Sequence, residues 1–489
     1  MSQNERGLAL RNGFVVGMSL LGTWSVALLV RLVLPRHLGP SLFGEYAFAE
    51  ALAITGFGFV GFGIDMYIQK EIPLRPAHAS DFYGGTQLLR VLAAAVVIAS
   101  IGFIAQRSGH SREVVLTAMG FGISQLCYYA ANTCATLLYA ARSVGRLSVL
   151  NIATKLLWAA AIIAAIVGHA KLWAFALAAA LSELVRFVAL FAIARRVVDL
   201  RVRFDVRETL RVLEKSAPYY LNIIAIVLYS KIDVTIMGFL LPNRELGFYG
   251  AATNISSVAM LLAPLIQWVV TPELARAAVA KDELYAMMRR ALEWTLVIAI
   301  PVALMLGLGA DFVIRTVFGL RFAPAVGAMR VLAPLFVVVY VAMLGSTAMI
   351  MLERAWTVTI VTLVSFVVNG LLNFALVRVS LAALGEGGGG IGAAAISVGT
   401  EAIVAATYVA LLGRGVFDRK NVGSVLKSLG VCAAVIALHL STRRIGPARL
   451  VLDMLVYAAL AIVTGAIRVR ELYAVVVSAL RGRKKHAIS

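Results

Sequence analysis

Long apolar runs separated by short polar connections make up most of the chain. They fall near residues 12–34, 43–64, 82–105, 114–138, 149–167, 172–194, 216–241, 247–271, 290–314, 328–352, 355–378, 391–413, 424–440 and 449–467. A helix needs about 20 apolar residues to cross a hydrocarbon core of ~30 Å. The pattern therefore predicts fourteen transmembrane helices and an all-α polytopic membrane protein. The first run is long and carries no small-residue cleavage pattern, so it reads as an uncleaved helix rather than a signal peptide.

Composition supports the same picture. Of 489 residues, 61% are hydrophobic and 14% charged, and the mean hydropathy is +0.90. A soluble chain of this length would need far more polar surface. The spans leave little chain for an aqueous domain, which excludes a large soluble catalytic unit.

The net charge of +20 would point to nucleic acid in a soluble protein. Here most of the 45 Lys and Arg fall on loops sharing the side of the N-terminus. The positive-inside rule then places both termini in the cytoplasm and removes nucleic acid as a partner. The longest basic stretch, residues 195–215, alternates apolar and charged positions. It is expected to lie as an amphipathic helix against inner-leaflet lipids between the sixth and seventh spans.

The two halves of the chain echo each other. Leu34-Pro35 followed by Gly44-Glu45-Tyr46-Ala47 recurs as Leu241-Pro242 followed by Gly247-Phe248-Tyr249-Gly250, and Ala176–Glu183 matches Ala394–Glu401. Ala-rich membrane helices resemble one another by composition, but these matches occur in order. A duplicated six-helix unit is the better reading, giving two parallel lobes around a central cavity. The expected division is residues 1–200 for the first lobe, 201–215 for the cytoplasmic linker, 216–415 for the second lobe, and 416–489 for two further helices and a basic tail. Pro264, Pro301 and Pro334 lie inside the predicted eighth, ninth and tenth helices and permit bends there.

Motifs for catalysis are absent from the sequence. Gly56-Phe57-Gly58-Phe59-Val60-Gly61 fits GxGxxG but falls within a predicted membrane helix, where small residues serve packing. There is no Walker A loop and no HExxH, and the six histidines are scattered. Cys127, Cys134 and Cys432 lie singly in apolar runs. No cofactor, metal site or catalytic residue is expected.

What remains is a set of ionisable residues inside the spans, each costing at least about 2.5 kcal/mol at a helix centre. The deep ones are Arg90, Arg186, Lys231, Glu183 and Glu401, with Asp233 beside them; Arg31 and Lys155 lie nearer helix ends and can snorkel. Glu50 and Glu293 complete the set. The cations favour an anionic substrate group such as a phosphate. The acids Glu183, Asp233 and Glu401 suit either ion coupling or pairing between helices, and Glu183 and Arg186 are three apart on one helical face.

The segment LPRHLGPSLFGEYAFA after the first helix resembles the "LGP…(F/Y)G.Y" entry of the Wzx-type polysaccharide transporters of the MOP exporter superfamily. Lys231-Ile-Asp233-Val-Thr-Ile-Met-Gly238, followed by Leu246-Gly-Phe-Tyr249-Gly-Ala-Ala, is similar to their signature at helices seven and eight. The resemblance spans about residues 10–415. It implies a flippase that moves an undecaprenyl-diphosphate-linked oligosaccharide from the inner to the outer leaflet by alternating access, without being an enzyme. It further implies the bacterial inner membrane, a role in lipopolysaccharide or exopolysaccharide synthesis, and a polysaccharide polymerase as an expected neighbour. The cations matching the family's lumen are Arg31, Arg90, Arg186 and Lys231. The chain lacks the helix-one arginine motif of the related lipid II flippases, which disfavours a peptidoglycan precursor. Two alternatives stay open: a MATE-type drug/cation antiporter using Glu183 and Glu401, and a membrane enzyme of polysaccharide assembly.

Overall fold

The computed structural model describes residues 3–75, 78–141, 144–260, 271, 274, 281–413 and 419–466. Among these there is no strand, and twelve helices are long and apolar enough to cross a membrane. In chain order the helices are α1 (Gln3–Phe57), α2 (Ile64–Glu71), α3 (Ala79–Arg107), α4 (Arg112–Ala140), α5 (Val144–Val167), α6 (Leu172–Val197), α7 (Val206–Leu240) and α8 (Asn243–Met260). They continue as α9 (Lys281–Leu308), α10 (Ala310–Phe318), α11 (Ala325–Leu332), α12 (Leu335–Met351), α13 (Ala355–Leu384), α14 (Gly388–Leu412), α15 (Arg419–Ser441) and α16 (Arg449–Val463).

The first helix carries two predicted spans. Gly39 interrupts it with φ 71° and ψ 172°, a conformation open to glycine, and Pro40 follows. A proline directly after the break suits the first position of a new helix, where its missing N–H is no loss. Ala27 and Glu50 line one cavity, yet along a straight helix they would stand about 35 Å apart at ~1.5 Å per residue. The chain therefore doubles back at Gly39. The predicted eighth span is described as far as Met260, so Pro264 lies outside the described residues. Pro301 continues inside α9, while Pro334 separates α11 from α12.

Two expectations are corrected. The GxGxxG segment does not run through a helix: α1 ends at Phe57, and the chain turns until α2 starts at Ile64. Phe62 and Gly63 take positive φ values of 52° and 67°, and a run this rich in glycine gains little from staying helical. The linker also differs. Residues 199–205 carry no regular secondary structure, with Asp199 at a positive φ of 48°, and 206–215 form the start of α7. Asp205 caps that helix by accepting from the Glu208 N–H at 3.0 Å. Leu200 is buried, and the Ser80 hydroxyl accepts from the Arg201 N–H at 3.0 Å while donating to the Asp199 carbonyl at 3.4 Å. Gly84 and Gly85 of α3 leave room for the Arg203 carbonyl and the Thr209 side chain. Local tethers to α3 thus hold residues 199–205 out of the helix that the pattern predicts, while 206–215 are helical.

The described chain forms two compact units. One comprises Met1–Asn254, Val317–Ala325 and Thr362–Ile396; the other comprises Ile255–Thr316, Val326–Val361 and Ser397–Ser489. In the first unit the repeated motifs meet. A Cβ on Gly44 would overlap the Asn243 carbonyl, and one on Gly247 would overlap the Pro40 carbonyl. The two glycines let the helix following Gly39 and α8 approach backbone to backbone. Beside them Asn243 donates to Glu45 at 3.0 Å. Glu245, 4% exposed, accepts from the Gly387 and Gly389 N–H groups at 2.7 and 3.1 Å, and so caps the start of α14. In the second unit Leu292, Met288, Leu344, Ala348, Val404 and Tyr408 build a core across α9, α12 and α14.

Gly247→Ala is expected to destabilise the protein by about 1–3 kcal/mol, the usual cost of overpacking, read as a lower midpoint of thermal unfolding in detergent. A second expectation concerns His110, which stacks on Phe48 at 4.3 Å between α3 and α4. Burial pushes its pKa below the ordinary value, so the unfolded chain binds the proton more readily. Its contribution is complete above the ordinary histidine pKa of ~6.5 and is lost as pH falls through the lower folded value. A pH series of unfolding midpoints should therefore decline on the acid side less steeply in His110→Gln than in the parent.

Candidate functional site

Within the first unit, five chain segments enclose a cavity of about 140 Å³. Arg31 comes from α1 before the Gly39 reversal, and Tyr46 and Glu50 come from the helix after it. Lys155 and Trp158 lie one turn apart on α5, Lys231 comes from α7 and Asn254 from α8. The lining therefore holds three cations and one carboxylate. The Asn254 side-chain amide donates to the Arg31 carbonyl at 3.2 Å, fastening α8 to the reversing helix. The Lys155 ammonium sits over the Trp158 ring, 4.1 Å from its centroid. Such a contact holds a cation in place without neutralising it. Lys155 is within electrostatic reach of Arg31, Glu50, Glu183 and Arg186. An anion entering this cavity would meet an excess of positive charge.

Of the residues expected from the sequence, the structure brings Arg31 and Lys231 together at this cavity. Arg186 lies on α6, with Nη1 3.1 Å from Glu183 Oε2 and Nε donating to the Asn151 side-chain oxygen at 3.1 Å. Its guanidinium also lies over Tyr128, 5.8 Å from the ring centroid. This is the local pairing that their i,i+3 spacing permits.

Arg90 occupies a different setting. It is fully buried, and its Nη2 donates to the Gly61 carbonyl at 2.9 Å. Its Nη1 donates to Thr133 Oγ1 and, at 3.4 Å, to the Tyr129 carbonyl. Asp65 of α2 stands 3.7 Å from Nη2 and accepts from Asn132 at 2.7 Å and Thr133 at 2.9 Å. Arg90 thus secures the turn after Phe57 against α3 and α4. Asp233 accepts hydrogen bonds from the Tyr249 hydroxyl and the Val234 N–H. Glu401 lies on α14 within the second unit.

Lys155 and Glu50 stood among the ionisable residues of the spans but outside the expected site. The signal for Lys155 was its i,i+3 spacing from Trp158. Asp65 gives no sequence signal of its own, because it follows a glycine-rich turn that reads as helix interior. Among the described residues no cluster of His, Cys, Asp and Glu could hold a metal ion.

The two kinds of cation should respond differently to truncation. Arg90→Ala leaves Asp65 with an uncompensated charge and is expected to cost about 3–5 kcal/mol of stability. Lys231→Ala removes a cavity cation and should leave the unfolding midpoint near that of the parent. Thermal unfolding of both variants in one detergent provides the comparison.

Comparison with known proteins adds an independent line. The solved structure of the lipid II flippase MurJ in an inward closed conformation matches with a TM-score of 0.73 at 12% identity, covering 94% of this chain and 100% of that one. An inward-facing multidrug resistance MATE family transporter of the MOP superfamily matches with a TM-score of 0.58 at 13% identity, covering 78% and 93%. A MOP superfamily transporter from Pyrococcus furiosus, described by the reverse polarity of its binding pocket, matches at 0.53 and 15% identity, covering 83% and 96%. At these identities the likeness is one of fold. No curated protein matches the chain in sequence. The model of a family described as polysaccharide biosynthesis protein matches residues 33–327, more than half of the chain, and the chain belongs to that family.

Proposed function

We propose that the protein is a flippase for an undecaprenyl-diphosphate-linked oligosaccharide, carrying it from the inner to the outer leaflet by alternating access during assembly of a surface polysaccharide. The observation that carries this reading is the cavity of the first unit, where Arg31, Lys155 and Lys231 face a single carboxylate, Glu50. Charges inside a membrane span are costly, and an excess of one sign suits a substrate of the other. A diphosphate is compact and multiply charged, and it can accept from several cationic donors at once. A cationic drug would meet repulsion from the same lining.

In this reading Arg31 and Lys231 bind the diphosphate, and Lys155, held over Trp158, joins them. Arg90 and Arg186 support the lumen by fixing the helices around it, Glu183 balances Arg186, and Asp233 orients the segment between Lys231 and Tyr249. Glu401, in the second unit, is assigned as a coupling or pairing carboxylate. The chain works as a transporter rather than an enzyme. It resides in the bacterial inner membrane with both termini in the cytoplasm, its partners being the lipid-linked oligosaccharide, membrane lipids and a polysaccharide polymerase.

Thermal stabilisation tests the assignment. A ligand at 100 times its Kd raises the unfolding free energy by about 2.7 kcal/mol. Undecaprenyl diphosphate should stabilise the purified protein. Arg31→Ala and Lys231→Ala should each weaken that effect by about tenfold in ligand concentration, equivalent to ~1.4 kcal/mol. Stabilisation by organic cations alone, indifferent to both substitutions, would overturn the reading in favour of a cation antiporter.

A further inference from the structure

The second unit contains a larger cavity, of about 900 Å³, between α9, α11, α12, α15 and the start of α16. That volume lies within the ~300–1,000 Å³ typical of small-molecule sites. Its polarity is distributed lengthwise. Along α9 the lining begins at Leu296 and ends at Asp311, just beyond the helix; along α15 it begins at Val425 and ends at Leu440, beside His439. At ~1.5 Å per residue the stretch of α15 is about 22 Å of helix. Apart from Cys432, the walls are Leu, Ile, Val, Ala, Gly and Pro until the last turn, where Asp311, Arg330, His439 and Arg449 gather. All four lie near helix termini, which is where a spanning bundle reaches the bilayer surface.

The polar end is built, and its balance is cationic. Asp311 is already engaged, accepting from Arg315 Nε at 2.7 Å. His439, 6% exposed, is 2.5 Å through Nδ1 from Asp453 Oδ2 of α16. Asp453 is completely buried, and its second oxygen has no partner. A buried carboxylate in that position fixes the orientation of the ring. Arg449 donates to the His439 carbonyl at 3.4 Å. Arg330 is exposed and makes no hydrogen bond or ion pair among the described residues. The cavity thus offers a long apolar body closed at one end by two guanidiniums and an oriented imidazole.

We propose that this cavity is a binding site for a membrane phospholipid with an anionic headgroup, its phosphate held by Arg330, Arg449 and His439 and an acyl chain laid between α9 and α15. The occupant has to be an amphiphile with one polar end, because the lining has one. It has to be anionic, because the charges at that end not already matched are positive. A single leaflet is ~15 Å deep, so the ~22 Å of wall is long enough for an acyl chain lying along the helices. The site is separate in chemistry and residues from the cavity of the first unit.

Native mass spectrometry of the detergent-purified full-length protein tests this, with palmitoyl-oleoyl phosphatidylglycerol, the matching phosphatidylcholine and undecaprenyl phosphate as probes. The protein should retain one phosphatidylglycerol in preference to phosphatidylcholine. The double variant R330Q/R449Q should lower that retention by about tenfold, the scale of losing hydrogen bonds to a charged group. Leu304→Trp, which fills the apolar wall and leaves the polar end intact, should abolish retention, whereas R31A/K231A should leave it unchanged. Unfolding midpoints without added lipid identify any variant that fails to fold, in which case the remaining one carries the test. Equal retention of the two phospholipids, or retention unaffected by both R330Q/R449Q and Leu304→Trp, would overturn the proposal. So would displacement of phosphatidylglycerol by equimolar undecaprenyl phosphate, which would make the cavity an isoprenoid site.

Discussion

An ionised side chain in hydrocarbon must find a partner, reach an interface or face a wet cavity, and this requirement organises the charged residues of the whole chain. Arg90 is answered by Asp65 and two carbonyls, Arg186 by Glu183 and Asn151, Asp233 by Tyr249, and His439 by Asp453. Each of these groups joins elements that the apolar pattern alone would leave free to slide. The cavity of Arg31, Lys155 and Lys231 follows a different rule, since three cations share one carboxylate. Matched charge makes joints in this protein, and unmatched charge makes the candidate site.

A second constraint acts on backbone distance. Without a hydrophobic drive between helices in lipid, association relies on close packing, and small residues set how close two helices can come. Gly44 and Gly247 occupy equivalent places in the repeated motifs and meet the backbone of Asn243 and of Pro40. The duplication visible in the sequence is thereby also a contact. Asn243 and Glu45, one residue from the same crossing, add a hydrogen bond that would be unfavourable to break in an apolar setting.

The sequence conveyed the spans well because hydropathy over some 20 residues is a strong and local signal. It also conveyed the break between the first two apolar runs, where the chain reverses at Gly39. It was less informative where tertiary contacts decide. The turn after Phe57 is held by Arg90, 29 residues after Gly61, and the irregular linker by Ser80, more than 100 residues earlier. Periodicity cannot register such tethers. Arg90 and Lys231 look alike in a hydropathy profile, and only the arrangement of Gly61, Asp65 and Thr133 distinguishes a joint from a cavity wall.

The buried carboxylate of Glu245 bears on how the molecule is assembled. A helix usually begins with a residue whose own side chain meets the first free N–H groups, but α14 begins in a run of glycines that has no side chain to offer. Its cap is supplied by a residue 142 positions earlier. During synthesis the donor of that cap enters the membrane long before the glycine run leaves the ribosome, so α14 arrives at a template already in place. A shortened or rearranged chain in which α14 preceded α8 would present its bare amide groups to lipid with nothing to receive them.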